Sequence, residues 1–183
     1  MIINRKWAMP NSETFSIKPI KELIDRFVVN KENICDPFVR NSPFKSICVS
    51  NDIDPDIDAD FHMDALDFLK TRKDGEFDMV LFDPPYSSRQ VVECYKKMGK
   101  SVNMETTQGS FWANLKKEIR RITSNDSIVI SCGWNSGGIG EKYGFELEEI
   151  LLVPHGGVHN DTIVTVENKK AINFNVDGIP FWE

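Results

Sequence analysis

The sequence lacks the features of a membrane or secreted protein. No apolar run approaches the length that crosses a bilayer, and the N-terminal residues contain no apolar segment typical of a signal peptide. The cysteines are scattered, without the paired spacing of a zinc site. They are Cys35, Cys48, Cys94 and Cys132. We therefore expect a cytoplasmic protein with reduced thiols, no metal site and no membrane partner.

Positive charge is also scarce. The 183 residues include 22 Lys and Arg against 28 Asp and Glu, a formal net charge of −6. This balance argues against unaided binding of nucleic acid, because phosphate contacts supply much of that affinity. The charge is uneven, however, since seven aspartates lie at positions 52–67 and basic residues cluster later. The basic residues are Lys96, Lys97, Lys100, Lys116, Lys117, Arg120 and Arg121. An acidic half and a basic segment are compatible with a DNA partner.

A calcium loop is absent, although aspartates occupy alternate positions from Asp52 onwards. An EF-hand loop needs glycine at its sixth position and glutamate at its twelfth. Counted from Asp52, these positions hold Ile57 and Met63, and counted from the next aspartate they hold two alanines. Internal repeats and low-complexity segments are absent too. The length favours one domain over residues 1–183, with room for a hydrophobic core.

The most informative stretch is an apolar run at residues 79–82, followed by Asp83, Pro84, Pro85 and Tyr86. The run has the length and side chains of a buried parallel strand. The two prolines offer no N–H and fix φ, so the chain leaves the sheet rigidly after Asp83. In an open α/β sheet, ligands bind at the carboxyl ends of the strands. The sequence therefore predicts a functional site at this turn.

This stretch resembles the Asp-Pro-Pro-Tyr motif of S-adenosylmethionine-dependent amino methyltransferases, above all the small phage-type DNA adenine-N6 enzymes. The resemblance implies that Asp83, Pro84, Pro85 and Tyr86 form the catalytic motif. The carboxylate and the Pro84 carbonyl would accept hydrogen bonds from an exocyclic amine, freeing its lone pair for the methyl group. Tyr86 would stack on a base flipped out of the duplex. The alternative is a strand that ends in a proline turn, with Asp83 as a simple cap.

The resemblance extends to a segment at Asp36, Pro37 and Phe38, which follows a short apolar run. In the family, the acid of this first cofactor motif binds the methionine ammonium group. The motif usually continues with glycines, which let the backbone approach the cofactor closely. Residues 40–42 are instead Arg, Asn and Ser. Small phage-type adenine methyltransferases share this glycine-poor form.

Two further acids occupy family positions for the cofactor. Asp52 follows a second strand, where the family acid accepts the ribose hydroxyls, and Ile53 would pack on the adenine ring. Asp64 and Ala65 begin a helix after a minimal third strand near Phe61. Asp64 would accept from the adenine amine, and its alternative role is an ordinary helix N-cap. With Asp36 and Asp83, these residues form the expected cofactor site for S-adenosylmethionine.

The N-terminal segment is predicted to be an irregular arm over residues 1–13, followed by a helix over residues 17–29. Ser16 is the expected N-cap, because serine accepts well at that position. Just before it, Thr14 and Phe15 resemble the family segment that closes over the methionine end of the cofactor. The alternative is an arm that packs Phe15 into the core.

Substrate contacts are expected on the loops beside the motif. Trp134 and Asn135 lie in a glycine-rich loop after the fifth predicted strand, close to the presumed base pocket. Arg89 is a candidate phosphate contact, since it follows the motif directly. The same holds for Lys96, Lys97 and Lys100. A solvated helix face explains these lysines equally well.

The predicted fold is a single-domain α/β class I methyltransferase, a Rossmann-like sheet that is mostly parallel. Strands at residues 145–153 and 162–167 would form the antiparallel hairpin that closes the sheet in that class. Parallel neighbours need a crossover of about a dozen residues or more. Only nine residues separate Asp36 from Ser46, and only seven separate Asp52 from Asp60. We therefore expect short or missing crossover helices between the first strands.

A parallel sheet without these helices needs another cover, because its strands are apolar on both faces. The candidates are the N-terminal arm with Trp7, the tail at Phe181 and Trp182, or another subunit. The short chain favours a partner subunit or a homodimer.

Together these features predict a compact DNA adenine-N6 methyltransferase without a separate target-recognition domain. An rRNA guanine-N2 methyltransferase uses a very similar motif and remains an alternative. A non-catalytic methyltransferase-like partner subunit is the other, suggested by the missing glycines and the negative charge.

Overall fold

The computed structural model describes residues 1–99, 109–171, 173–174 and 180–181. Within these ranges the strands are β1 (Ile2–Arg5), β2 (Ile34–Asp36), β3 (Cys48–Ser50), β4 (Phe77–Phe82), β5 (Thr123–Gly133), β6 (Phe145–Val153), β7 (Thr162–Lys169), β8 (Asn173–Phe174) and β9 (Pro180–Phe181). The helices are α1 (Lys18–Val28), α2 (Ala65–Lys70), α3 (Ser88–Lys97) and α4 (Gly109–Ile122). None of these helices is long and apolar enough to cross a membrane.

Seven strands form one sheet in the order β1-β6-β7-β5-β4-β2-β3, and β8 pairs with β9 separately. The strands β3, β2, β4 and β5 are mutually parallel. β7 is antiparallel to both of its neighbours, β5 and β6. The predicted mostly parallel sheet with an antiparallel C-terminal pair is therefore confirmed.

β4 lies near the centre of the sheet because it is apolar on both faces. Met79, Val80 and Leu81 are fully buried, and Phe82 is almost so. Met79 and Leu81 pack into the core beneath α1, whereas Val80 and Phe82 pack into the core beneath α2, α3 and α4. The strand thus delivers Asp83 from a rigid position between two hydrophobic cores.

α1 covers the face of the sheet that has no crossover helices. Its buried side chains Ile20, Leu23 and Ile24 pack with Met79 and Leu81. The expected shortage of crossover helices is confirmed, since β2 and β3 are joined only by a single 3-10 turn. The chain's own first helix therefore covers this face, and a partner subunit or a homodimer stays a prediction. Trp7 remains 60% exposed, and Trp182 lies outside the described residues.

The helix boundaries differ slightly from those predicted. α1 begins at Lys18, and its N-cap residue Ile17 makes no side-chain cap. Ser16, the expected cap, instead donates from Oγ to the Glu13 carbonyl at 2.7 Å. Pro19 occupies the first turn, where a missing N–H costs nothing.

The prediction of an irregular N-terminal arm was wrong for four residues. Ile2–Arg5 forms the edge strand β1, parallel to β6, with Ile3 opposite Ile150. All four residues of β1 are exposed, so no burial pattern marks them as a strand. The backbone ladder holds the strand, together with a 3.0 Å hydrogen bond from the Asn4 amide to Glu149.

The minimal strand that was predicted near Phe61 is a single parallel bridge between Asn51 and Phe61. This agrees with the minimal strand expected there. All four cysteines are free; Cys35 and Cys132 are buried, Cys48 is half-buried and Cys94 is exposed.

Candidate active site

The turn after β4 brings Asp83 and Tyr86 together. The Tyr86 hydroxyl donates a hydrogen bond to Asp83 Oδ1. The Trp134 ring, from the loop after β5, meets the Tyr86 ring edge-on at 71°, with 5.7 Å between the ring centroids. The structure therefore joins the predicted catalytic motif to one predicted substrate residue.

The peptide between Pro85 and Tyr86 is held on both sides. The Pro85 carbonyl accepts a hydrogen bond from Trp112 Nε1 at 2.9 Å, and the Tyr86 N–H donates to Gln90 Oε1 at 2.6 Å. In the described part of the chain, no donor reaches the Pro84 carbonyl. That carbonyl remains as an acceptor beside Asp83.

Burial is the main influence on the pKa values of Asp83 and Tyr86. It raises the pKa of Asp83, while hydrogen bonds from the Tyr86 and Thr14 side chains lower it. Burial also raises the pKa of Tyr86, and the nearby Asp83 charge adds to the effect. Tyr86 is therefore a neutral hydrogen-bond donor at physiological pH.

Asp36, at the end of β2, is an acid without a full set of partners. Its side chain is completely buried, and Oδ1 accepts from the Phe38 N–H at 3.1 Å. Its other oxygen, Oδ2, is buried with no hydrogen-bond partner among the described residues. Burial, followed by the charges of Asp83 and Asp52, raises the pKa of Asp36 to about 8, while the Phe38 N–H and the nearby Ser42 side chain act to lower it. Such an orphaned carboxylate favours a cationic ligand.

Asp52 organises the loop that carries the glycine-poor motif. Its side chain is buried, with Oδ2 accepting from the Arg40 N–H at 3.0 Å and Oδ1 from the Asp54 N–H at 2.9 Å. Arg40 has a φ of 44°, a left-handed conformation that glycine adopts more easily. The motif thus keeps a glycine-like turn without glycine. The Asp52 carboxylate retains lone pairs, so its role toward a ribose stays a prediction, as does that of the half-buried Ile53.

Asn51 is a positioning residue that sequence reasoning missed. Its buried amide donates to the carbonyls of Pro37 at 3.2 Å and Met63 at 3.1 Å, and accepts from the Met63 N–H at 3.0 Å. It therefore ties the loop after β2 to the segment before α2. The only signal in the sequence was a polar residue directly after a strand.

Asp64 caps α2, as its alternative interpretation held. Oδ1 accepts from the Leu66 N–H at 3.0 Å, and Oδ2 accepts from the Tyr95 hydroxyl. Ala65 is buried behind it. A contact of Asp64 with an adenine amine stays a prediction.

The N-terminal segment meets the site through Thr14 and Glu13. Phe15 is buried in the core beneath α1, in agreement with the alternative interpretation, whereas the Thr14 side chain lies close enough to Asp83 to lower the pKa of that acid. Glu13 accepts from the Asn41 N–H at 3.2 Å and lies 3.7 Å from the Arg40 guanidinium. Glu13 therefore anchors the N-terminal segment to the loop after β2.

The contacts of Arg89, Asn135 and Lys97 involve neither Asp83 nor Tyr86. Arg89 is exposed and pairs with Glu93 on its own helix at 2.8 Å. Asn135 is exposed, and its side chain accepts from the Gly137 N–H at 2.9 Å. Lys97 pairs with Asp54 at 2.8 Å, and Lys100 lies outside the described residues.

The described residues contain no group of three or more metal-ligating side chains. Pro37 is buried, and the Phe38 ring lies 6.0 Å from that of Phe82. The roles of Pro37 and Phe38 toward a cofactor stay predictions.

No protein-family model and no curated protein sequence matches this chain. Solved structures do resemble it. N-methyltransferase NodS from Bradyrhizobium japonicum WM9, in complex with S-adenosyl-L-homocysteine, has a TM-score of 0.56 at 9% identity, over 88% of this chain and 90% of NodS. TrmN from Thermus thermophilus has a TM-score of 0.55 at 14% identity, over 84% of this chain. This chain spans about half of TrmN, 49% of its length.

A third similar structure is 1,6-didemethyltoxoflavin-N1-methyltransferase from Burkholderia thailandensis, with 1,6-didemethyltoxoflavin and S-adenosylhomocysteine bound. Its TM-score is 0.55 at 9% identity, over 84% of this chain and 78% of that enzyme. At these identities the likeness concerns the fold. The strand order agrees with it, since an antiparallel β7 is inserted between β5 and β6 at one side of a parallel sheet. The chain has the fold of the class I methyltransferases.

Proposed function

We propose that this protein transfers a methyl group from S-adenosylmethionine to the exocyclic N6 amine of adenine in DNA. The observation that carries the proposal is an orphaned buried oxygen of Asp36 at the same sheet edge as the acceptors Asp83 and Pro84. β2 and β4 are adjacent parallel strands, with Cys35 opposite Val80, so their carboxyl ends lie side by side. This edge is where ligands bind in open α/β sheets.

The residues around Asp36 fit a cationic cofactor. S-adenosylmethionine would supply an electrophilic methyl group, and it carries positive charge on its ammonium and sulfonium groups. The ammonium would give Asp36 Oδ2 the hydrogen bond that it lacks, and would favour the ionised form of the acid. Two of the similar structures hold S-adenosylhomocysteine, which supports this choice of cofactor.

The turn at Asp83 fits a substrate that presents two N–H groups. Asp83 and the Pro84 carbonyl are acceptors, and neither proline has an N–H to offer. An exocyclic amine that donates to both acceptors becomes more sp³-like at nitrogen, which frees its lone pair. Without substrate, the Tyr86 hydroxyl binds Asp83, so an incoming amine would take over part of that interaction.

The aromatic pair Tyr86 and Trp134 suits a planar base. Trp134 is 42% exposed, so ring surface is available beside the turn. Base–aromatic stacking contributes about 1–3 kcal/mol per base and suits a nucleotide removed from its stack. The choice of adenine in DNA comes from the Asp-Pro-Pro-Tyr resemblance and from the order of Asp36 before Asp83 along the chain.

The test is methyl transfer from tritium-labelled S-adenosylmethionine to unmethylated DNA, with ribosomal RNA offered in parallel. Nucleoside analysis of the DNA is expected to yield N6-methyladenine. Asp83→Ala is expected to abolish transfer while calorimetry shows nearly unchanged cofactor affinity, because the acid acts on the amine.

Label found in guanine of the RNA and not in DNA would overturn the choice of substrate. Absence of binding heat with S-adenosylmethionine would overturn the methyltransferase assignment itself. Wild-type turnover by Asp83→Ala would remove Asp83 from the chemistry.

A further inference from the structure

An indole from a distant helix contacts the catalytic turn. Trp112, in the first turn of α4, donates its ring N–H to the Pro85 carbonyl at 2.9 Å. Its ring packs edge-on against the Phe111 ring, with centroids 5.2 Å apart. This packing limits the orientations that the indole can take, so the hydrogen bond is held by the surrounding structure.

The amphipathic pattern of α4 explains Trp112 only as one more inward apolar residue. Leu115, Ile119 and Ile122 on the same face are fully buried, whereas Trp112 is only partly buried. A leucine or phenylalanine would fill the inner face as well. The property that tryptophan adds is a single N–H donor, and here that donor reaches the turn.

The hydrogen bond acts on one peptide unit that is also held from its other side. Trp112 binds the carbonyl of the Pro85–Tyr86 peptide, and Gln90 of α3 accepts the N–H of the same peptide. The rings of Pro84 and Pro85 fix their own φ angles. With this peptide plane bound at both ends, ψ of Pro85 and φ of Tyr86 are fixed as well.

We propose that Trp112 is a positioning residue for the turn, holding the Pro85 peptide so that the Pro84 carbonyl stays available to the substrate amine. Without Trp112, the carbonyls of Pro84 and Pro85 would both be free to accept a hydrogen bond from the substrate amine. Trp112 engages one of them, and no donor in the described ranges engages the other. The inference rests on the proposed function only for the identity of the substrate amine.

The test compares two replacements of Trp112 that remove the N–H. One is Trp112→Phe, and the other replaces the indole with benzothienylalanine, whose sulfur keeps the ring shape without the donor. The matched control is Tyr143→Phe, which removes a 3.3 Å hydrogen bond from a side chain to the Ala113 carbonyl of the same helix. That bond does not involve the turn.

The first readout needs neither cofactor nor substrate. Hydrogen exchange of the Tyr86 amide is expected to accelerate about tenfold in both Trp112 variants, as local opening becomes easier. Amides in the centre of β4 are expected to exchange at wild-type rates. Tyr143→Phe is expected to leave the Tyr86 amide unchanged.

The second readout is methyl transfer. In both Trp112 variants kcat is expected to fall about tenfold to a hundredfold, the scale of a small misplacement of reacting groups. KM for DNA and affinity for the cofactor are expected to stay within about twofold, because neither depends on the turn's alignment alone. Tyr143→Phe is expected to turn over at the wild-type rate.

Unchanged exchange at Tyr86 overturns the proposal whatever the activity. Faster exchange with a wild-type kcat overturns it too, because the alignment would then not matter to the reaction. If wild-type protein transfers no methyl group to any nucleic acid, the proposed function fails, and the exchange experiment alone decides whether Trp112 fixes the turn.

Discussion

Three acids, Asp36, Asp52 and Asp83, interact at one edge of the sheet. The charges of Asp83 and Asp52 both raise the pKa of Asp36, after the larger effect of burial. The raised pKa of Asp36 means that the ionised form of this acid is unfavourable in the ligand-free protein. Their arrangement is therefore consistent with a site that binds a cation and is less stable without it.

Asp36→Asn is expected to stabilise the ligand-free protein at neutral and higher pH. The folded-state pKa of about 8 lies above the ordinary 3.8, so stability is greatest below the ordinary value and falls as pH rises towards the folded value. The neutral amide avoids this loss. We expect Tm to rise by roughly 4–8 °C near pH 8, and less near pH 5.

Differential scanning fluorimetry at both pH values provides the measurement. The same variant is expected to lose cofactor affinity in calorimetry, since an amide offers the ammonium no charge. An equal change in Tm at both pH values, or a fall at the higher one, would contradict the charged-group explanation.

At the scale of elements, short loops govern the architecture. The segment from Asp36 to Cys48 is too short for a crossover helix, so a single 3-10 turn at Lys45–Ile47 makes the connection. The loop begins with a turn at Arg40 that is fastened by the Asp52 carboxylate. The acid therefore serves the loop's shape as well as any ligand.

Arg40→Gly is expected to be more stable than Arg40→Ala by about 1 kcal/mol, because only the alanine keeps a Cβ at the positive φ. The two variants lose the same exposed contact with Glu13, so their difference isolates the backbone strain. Urea unfolding measures it. Equal stabilities would mean that the loop relaxes away from the left-handed conformation.

Much at this scale was predictable from the sequence. β4 and the turn at Asp83 were predicted because an apolar run and two prolines are local signals. β1 was not, because its four residues are exposed and its strand depends on a partner far along the chain. Trp112 and Asn51 were missed for a similar reason, since their hydrogen bonds join segments that only the fold brings together.

At the scale of the whole molecule, α1 alone covers a face of the sheet that several crossover helices would normally cover. α1 packs against strands from both halves of the sheet, including Met79 of β4 and Leu151 of β6. The aromatic N-terminal arm does not provide this cover, because Trp7 and Met9 are exposed. The sequence predicted correctly that crossover helices between the first strands would be short or missing. It did not predict that α1 covers this face, since an amphipathic pattern does not reveal which surface a helix packs against.

Ile24→Ala is expected to destabilise the protein by about 2–4 kcal/mol, because Ile24 is fully buried between α1 and the sheet. Ile47→Ala is the matched control, since the same atoms are removed from a side chain that is 48% exposed. Urea unfolding is expected to show little change for the control. Equal losses would contradict the role of α1 as the cover of this face.

The pairing of β1 with β6 also bears on how the chain folds during synthesis. Asn4 is synthesised before its partner Glu149, which follows 145 residues later. The loop between them closes at a modest entropic cost, because that cost grows only with the logarithm of length. β1 can therefore pair with β6 only after residues 145–153 have been made, and α1 meets Met79 and Leu81 only after β4 has been made.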